Sequence, residues 1–243
     1  MHKTATPPPE DLGLGQAPGA SHYRAYVGPP ADFDLVAAMV FNLLTTLGLR
    51  QQHRVLDIGC GSLRVGRLLI PYLNRNRYVG IEPHRWLVEE GIRSETGQDL
   101  VDIKQPRFVF ADNAGELVDG GDKFDYVVAQ SIFSHCGLDL IDAWLGQASR
   151  LLAPGGAVLA TFWSGTDDSD AQGWIYPDCV AYRPATIVEV AARNGLRVVF
   201  PDFRHPRQTW AVLAHPDANV LELASGELSW NACFERTVAR QQT

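Results

Sequence analysis

The chain lacks the features that mark several large classes of protein. No apolar run approaches the ~18 residues a membrane-spanning helix needs. The first twenty residues, MHKTATPPPEDLGLGQAPGA, carry no apolar core of a secretory signal. Basic residues are outnumbered, 21 against 28 acidic, for a formal net charge of -7, so the basic face that wraps nucleic-acid phosphates is missing. The pairs Arg75 with Arg77 and Arg204 with Arg207 are too short to restore it. Cysteine is scarce: Cys60, Cys136, Cys179 and Cys233 share no CxxC spacing, which argues against structural disulfides. No His/Cys/Asp cluster has metal-ligand spacing, and the acidic run GTDDSD (Asp167, Asp168, Asp170) lacks the alternation and closing Glu of a calcium loop. Internal repeats are also absent. The expectation is a soluble, cytoplasmic protein with no nucleic acid, no membrane and no metal, monomeric or homodimeric.

What is present is enough apolar material, 46% of 243 residues, for one substantial core. Residues 1–20, rich in Pro, Gly and Ala, read as a flexible tail. Leu35, Met39, Leu43, Leu44 and Leu47 recur at helical spacing after a possible N-cap at Asp32 or Asp34, and Gly48 can end that helix. Strands and helices then alternate. RVLDIG, RYVGIE, RFVFAD, FDYVVAQ and AVLATFW read as strands, with SLRVGRLLIPYL, RWLVEEGIRSETG, AGELV and LDLIDAWLGQASRLL as the helices between them. RPATIVEVAARNG is a further helix, and LRVVFPDF and TWAVLAH are two last strands. This order predicts an α/β, Rossmann-like, doubly wound and mostly parallel seven-stranded sheet with helices on both faces. The last two strands, joined by RHPRQ, are too close for a crossover and pair antiparallel. The expected organisation is a domain over 21–215, with a cap segment at 21–50, an insertion at 164–182 and an extension at 216–243 bearing Trp230, Phe234 and Val238.

In an open parallel sheet, ligands bind at the carboxyl ends of the strands. The first strand ends in Asp57, Gly59, Cys60 and Gly61, and glycines there let backbone approach a ligand closely. The second ends at Glu82-Pro83, 25 residues after Asp57, near the gap at which an acidic side chain takes ribose hydroxyls. The third ends in Asp112-Asn113, placed to meet a purine edge, and the fourth in Gln130 and Ser131. Four consecutive strand ends each carry a suitable polar group.

VLDIGCGSLRVG, YVGIE, FVFADNA, FDYVVAQSIFSH and LLAPGGAVLATF, in that order, resemble the motifs of class I S-adenosylmethionine-dependent methyltransferases. The resemblance implies S-adenosyl-L-methionine as cofactor: Asp57 and Gly59 to Gly61 on its methionine part, Glu82 on the ribose, Asp112 on the adenine amino group with Asn113 nearby, and Gln130 beneath the sulfonium. Related enzymes fold an N-terminal segment over the cofactor, which brings in Tyr23 and Arg24. Leu63 and Arg64 stand where a third glycine often follows, a departure that disfavours a nicotinamide diphosphate more than a methionine tail.

The activity implied is methyl transfer to an oxygen or nitrogen of a small metabolite. Its alternatives are a protein that binds the cofactor without transferring methyl, as a regulatory partner, or other chemistry that uses the cofactor's charge. Such transfer rests on alignment, and a general base is needed only for an acceptor that still holds its proton. His135, just past a strand end, is the candidate base, and His205 is a second choice. Cys60 and Cys136 have no neighbouring His-and-acid arrangement and read as packing thiols. The acceptor pocket is expected from Tyr26, His135, Trp163, Trp174, Tyr176 and His205, with His22 and Tyr182 nearby.

Overall fold

Strand β1 (Val55–Ile58) is buried along its whole length, as a central parallel strand must be when helices cover both faces. The computed structural model describes residues 12–228. Around β1 the chain forms β2 (Tyr78–Ile81), β3 (Arg107–Val109), β4 (Phe124–Ala129), β5 (Leu152–Ser164), β6 (Ala181–Tyr182), β7 (Arg197–Val199) and β8 (Thr209–Ala214). The sheet order is β3-β2-β1-β4-β5-β8-β7, with short β6 set on the end of β5. The first five strands are parallel; β8 runs antiparallel between β5 and β7. The expected Rossmann-like seven-stranded sheet is therefore the observed one, with β6 as an addition.

The helices are α1 (Tyr23–Tyr26), α2 (Phe33–Thr46), α3 (Gly66–Tyr72), α4 (Arg85–Gly91), α5 (Gln98–Lys104), α6 (Gly115–Asp119), α7 (Leu138–Leu151), α8 (Pro184–Arg193) and α9 (Val220–Ser225). Two apolar cores lie on opposite faces of the sheet. One gathers Leu56, Val127, Ala160 and Leu213 with Leu117, Trp144, Leu145 and Ile187 from α6, α7 and α8. The other gathers Val55, Val128, Leu159 and Val212 with Val40, Leu43, Leu69 and Leu221 from α2, α3 and α9. Asp168, from the acidic run, accepts from the Arg183 backbone and guanidinium and from Thr186 Oγ1. It thereby staples the start of α8 and is held down to about 2 by those donors. Among the described residues no helix is long and apolar enough to cross a membrane.

Several local expectations change. In α2 the core-facing residues are Val36, Ala37, Val40, Leu43 and Leu44, and Leu35 is exposed. Helix α3 starts at Gly66, not Ser62, because Leu63 takes a left-handed φ of 61° that no helix accommodates. Residues 12–20 run in turns, with the Gly19 N–H donating to the Ala25 carbonyl. Residues 1–11 and the Trp230, Phe234 and Val238 segment lie outside the described residues.

Candidate active site

The order of the sheet reverses between β1 and β4, and a cavity of about 650 Å³ opens there, at the carboxyl ends of β1 to β4. The loop leaving β1 forms its floor. Gly59 (φ +64°) and Gly61 (φ +53°) both need the left-handed region that glycine tolerates. A β-carbon on Gly59 would collide with Ile132 from the β4 loop, and one on Gly61 would lie 2.7 Å from Val27 Cγ1 of the N-terminal segment. Leu63 follows in the same left-handed conformation and is fully buried. Leu63, at the place of a third loop glycine, thus holds a backbone conformation that favours glycine.

In-register pairing of Ile58 with Ile81 delivers Glu82 beside this loop. Its Oε2 accepts from the Gly61 N–H (3.1 Å) and its Oε1 from the His84 N–H (2.9 Å). Each oxygen keeps a further lone pair for a ligand hydroxyl. Burial raises the Glu82 pKa, opposed by those two backbone donors. Asp112 lines the cavity after β3, with Asn113 Nδ2 donating to its Oδ1 (2.9 Å). After β4, buried Gln130 donates to Ser131 Oγ (2.8 Å) and accepts from the Arg64 guanidinium. The Ser131 N–H is held by Thr161 Oγ1 of β5 (2.7 Å).

The roof is made where the N-terminal segment meets the insertion after β5. The Tyr176 hydroxyl donates to the Tyr26 carbonyl, and the two rings lie 5.3 Å apart. Trp174 stacks on Tyr176 at 6.0 Å, and Cys136 bridges to Trp174. The segment is anchored below by Ser62 Oγ to the Tyr23 carbonyl (2.9 Å) and sideways by Arg24 to the nearly buried Glu95 (2.6 Å). His135 lies in the wall, its ring 5.0 Å from that of Tyr176. Its Nδ1 is 2.6 Å from the Asp178 carbonyl, a pure acceptor, so Nδ1 carries the proton and Nε2 is the free base. Burial lowers the His135 pKa, opposed by that carbonyl, and the ring stays neutral near pH 7.

Of the expected cofactor residues, the cavity wall brings together Gly59, Gly61, Glu82, Pro83, Asp112, Gln130 and Ser131; of the acceptor residues, Tyr26, His135, Trp163, Trp174 and Tyr176. Five others lie off that wall. Tyr23 turns its hydroxyl to Glu95 (2.9 Å). Asp57 points into the second core, accepts from the Tyr78 hydroxyl (2.7 Å) and is raised to about 7 by burial. The Cys60 thiol is buried, and a β-carbon on Gly80 would lie 2.7 Å from it. Asn113 Oδ1 caps the Gly115 N–H (2.9 Å). His205 accepts at Nδ1 from the Gln208 N–H (2.9 Å) and packs on Trp210, 5.2 Å between rings. Among the wall residues that carried no site role in the sequence reading are Arg64, Arg207 and Gln208. Arg64 lies just three places past the last loop glycine, but only the fold shows that it faces inward.

A family model described as "Methyltransferase domain" matches residues 56–158, from β1 into β5. Among solved structures, magnesium protoporphyrin IX methyltransferase (ChlM) from Synechocystis PCC 6803 with bound SAM is similar at 17% identity and a TM-score of 0.57, covering 76% of this chain and 81% of that one. The DhpI-SAH complex is similar at 18% identity and a TM-score of 0.57, covering 82% and 92%. The glycopeptide N-methyltransferase MtfA follows at 13% identity and a TM-score of 0.56, covering 74% and 90%. At these identities the likeness is one of fold.

Proposed function

We propose that this chain is a class I S-adenosylmethionine-dependent methyltransferase and that it transfers the cofactor's methyl group to an oxygen of a small aromatic metabolite in the cytoplasm. The observation that carries this reading is the joining of the glycine loop to Glu82, through the Gly61 N–H, on a cavity whose far wall holds a neutral histidine and a cluster of aromatic rings. The residues fit a nucleoside with an amino-acid tail: close backbone approach at Gly59 and Gly61, a carboxylate with unfilled lone pairs for ribose, and Asp112 for an amino edge.

When bound, S-adenosylmethionine supplies a methyl group made electrophilic by a sulfonium. The chain's part is to orient and to manage one proton. Gly59, Gly61 and Glu82 fix the donor side, while Tyr26, Trp163, Trp174 and Tyr176 hold a flat acceptor and exclude water. Nε2 of His135 would take the acceptor's hydroxyl proton, while the methyl group itself would be supplied by the bound cofactor. In this reading residues 21–215 form the methyltransferase-like unit, with 21–50 and 164–182 closing over the cavity.

Calorimetric titration with S-adenosylmethionine, S-adenosylhomocysteine and NAD tests the site. Both sulfur nucleotides are expected to bind and Glu82→Ala to weaken them by at least about tenfold. Binding of NAD in their place would overturn the reading.

A further inference from the structure

We propose that the methyl acceptor is an anion, a hydroxylated aromatic acid whose carboxylate pairs with Arg64; this rests on the methyl-transfer reading of the same cavity. Arg64 is 8% exposed and lines the cavity wall. Its guanidinium donates to the Val27 carbonyl (2.8 Å) and to Gln130 Oε1, both neutral acceptors. Among the described residues it forms no ion pair with a carboxylate. Asp57, the carboxyl that acts most on its charge, already accepts from Tyr78. Arg207, the second guanidinium of the wall, is paired with Asp32. A buried cation whose only partners are neutral is costly, and the open side of Arg64 is the cavity itself.

The cofactor does not balance this charge. At neutral pH its tail sets one carboxylate against an ammonium and a sulfonium, so the occupied cavity gains a further net positive charge. The negative groups Glu82 and Asp112 are engaged at the other end, on the Gly61, His84 and Asn113 donors. From its contact with Gln130, Arg64 also reaches the acceptor end. The groups that feel its charge include His135, Tyr176 and His205, and Arg207 and Asp32 act on it in turn. Arg64 and His135 line the same cavity as the Tyr26 and Tyr176 rings, whose centroids lie 5.3 Å apart, with Trp174 stacked on Tyr176. A flat ring lying against that aromatic cluster would present a carboxylate to the guanidinium and a hydroxyl to Nε2 of His135. A guanidinium reads a carboxylate through a planar two-bond contact that an amide cannot reproduce.

The test is calorimetric titration of hydroxybenzoates and hydroxycinnamates, each beside its uncharged amide, into the full-length protein with and without S-adenosylhomocysteine. At least one acid is expected to bind about tenfold or more tightly than its amide. Arg64→Met should erase that preference and Arg64→Lys should keep part of it. Methylthioadenosine, which has no amino-acid tail, should bind Arg64→Met as it binds the parent, showing the variant folded. The proposal is overturned if no acid binds the unaltered protein, or if acid and amide bind alike, a comparison that needs no variant. It is equally overturned if Arg64→Met weakens S-adenosylhomocysteine but spares methylthioadenosine and the acid preference, for the guanidinium would then serve the cofactor's own carboxylate. Preferential binding of an acid without any binding of the sulfur nucleotides would leave the anion site standing and sink the methyl-transfer reading.

Discussion

His135 is poised by one contact: its Nδ1 faces a carbonyl that can only accept, which leaves the Nε2 lone pair for the cavity. A base works only while unprotonated, and burial holds this ring below the usual histidine range. Activity should therefore stay level through neutral pH and fall only as pH drops below about 6.5. His135→Gln should lower kcat about a hundredfold or more, remove that acid limb and leave S-adenosylhomocysteine affinity unchanged. A variant with full activity, or an acid limb that persists in it, would exclude the base. At this scale the strand-end acid was legible: Glu82 follows a strand and stands 25 residues after Asp57. The direction of Asp57 was not, because a strand residue's side is set by register, and Asp57 pairs with Gly80 on the face where Tyr78 waits. Nor was Arg64, whose meaning lies in the absence of a carboxylate that only three dimensions reveal.

Helix α3 shows how one residue shifts an element. Continuous apolar spacing from Ser62 onward reads as helix, yet Leu63 is left-handed and the helix waits until Gly66. The leucine side chain is buried against neighbours that stay small: β-carbons on Gly66 and Gly91 would lie 3.1 and 3.0 Å from it. Holding a leucine left-handed costs about 1–2 kcal/mol, whereas deleting a buried leucine costs about 2–5 kcal/mol, so packing wins and the strain is kept. Leu63→Gly and Leu63→Ala should thus both destabilise, but in an unusual order. Glycine sheds the backbone strain and alanine does not, so Leu63→Gly should equal or exceed Leu63→Ala by up to about 1 kcal/mol in urea unfolding. The reverse order would mean that position 63 is not strained. Helix α5 was illegible for a different reason. None of its residues is buried and Ile103 is two-thirds exposed, so it has no apolar stripe for periodicity to detect.

At the scale of the whole molecule, the alternation of strand and helix already implied the doubly wound sheet, because amphipathic helices of that spacing have no other way to cover a parallel sheet. The roof over the site was readable only as a set of aromatic residues. Its closure depends on contacts between segments 150 residues apart, Tyr26 with Tyr176, which no local pattern encodes. Burial at such distances also sets how the molecule responds to pH. Asp57, raised from 3.8 to about 7, holds a proton in the folded protein that the unfolded chain has lost between those values. Its contribution is therefore fully present below pH 3.8 and declines as pH rises to about 7. Glu82 acts in the same sense. His205, lowered from 6.5 to about 4 by burial and the charges of Arg207 and Arg64, acts oppositely: its contribution is present above 6.5 and is lost as pH falls towards 4. His135 shares that direction. The two sets offset each other across the acidic range, so stability should change little there. Asp57→Asn keeps an acceptor for the Tyr78 hydroxyl and removes one side of the balance. Urea unfolding of that variant should become more favourable to the folded state as pH rises from about 4 to about 6.5, with a slope the parent lacks. Parallel pH profiles for the two proteins would mean that Asp57 is charged throughout, and that its burial beside Tyr78 does not govern the acid stability of the fold.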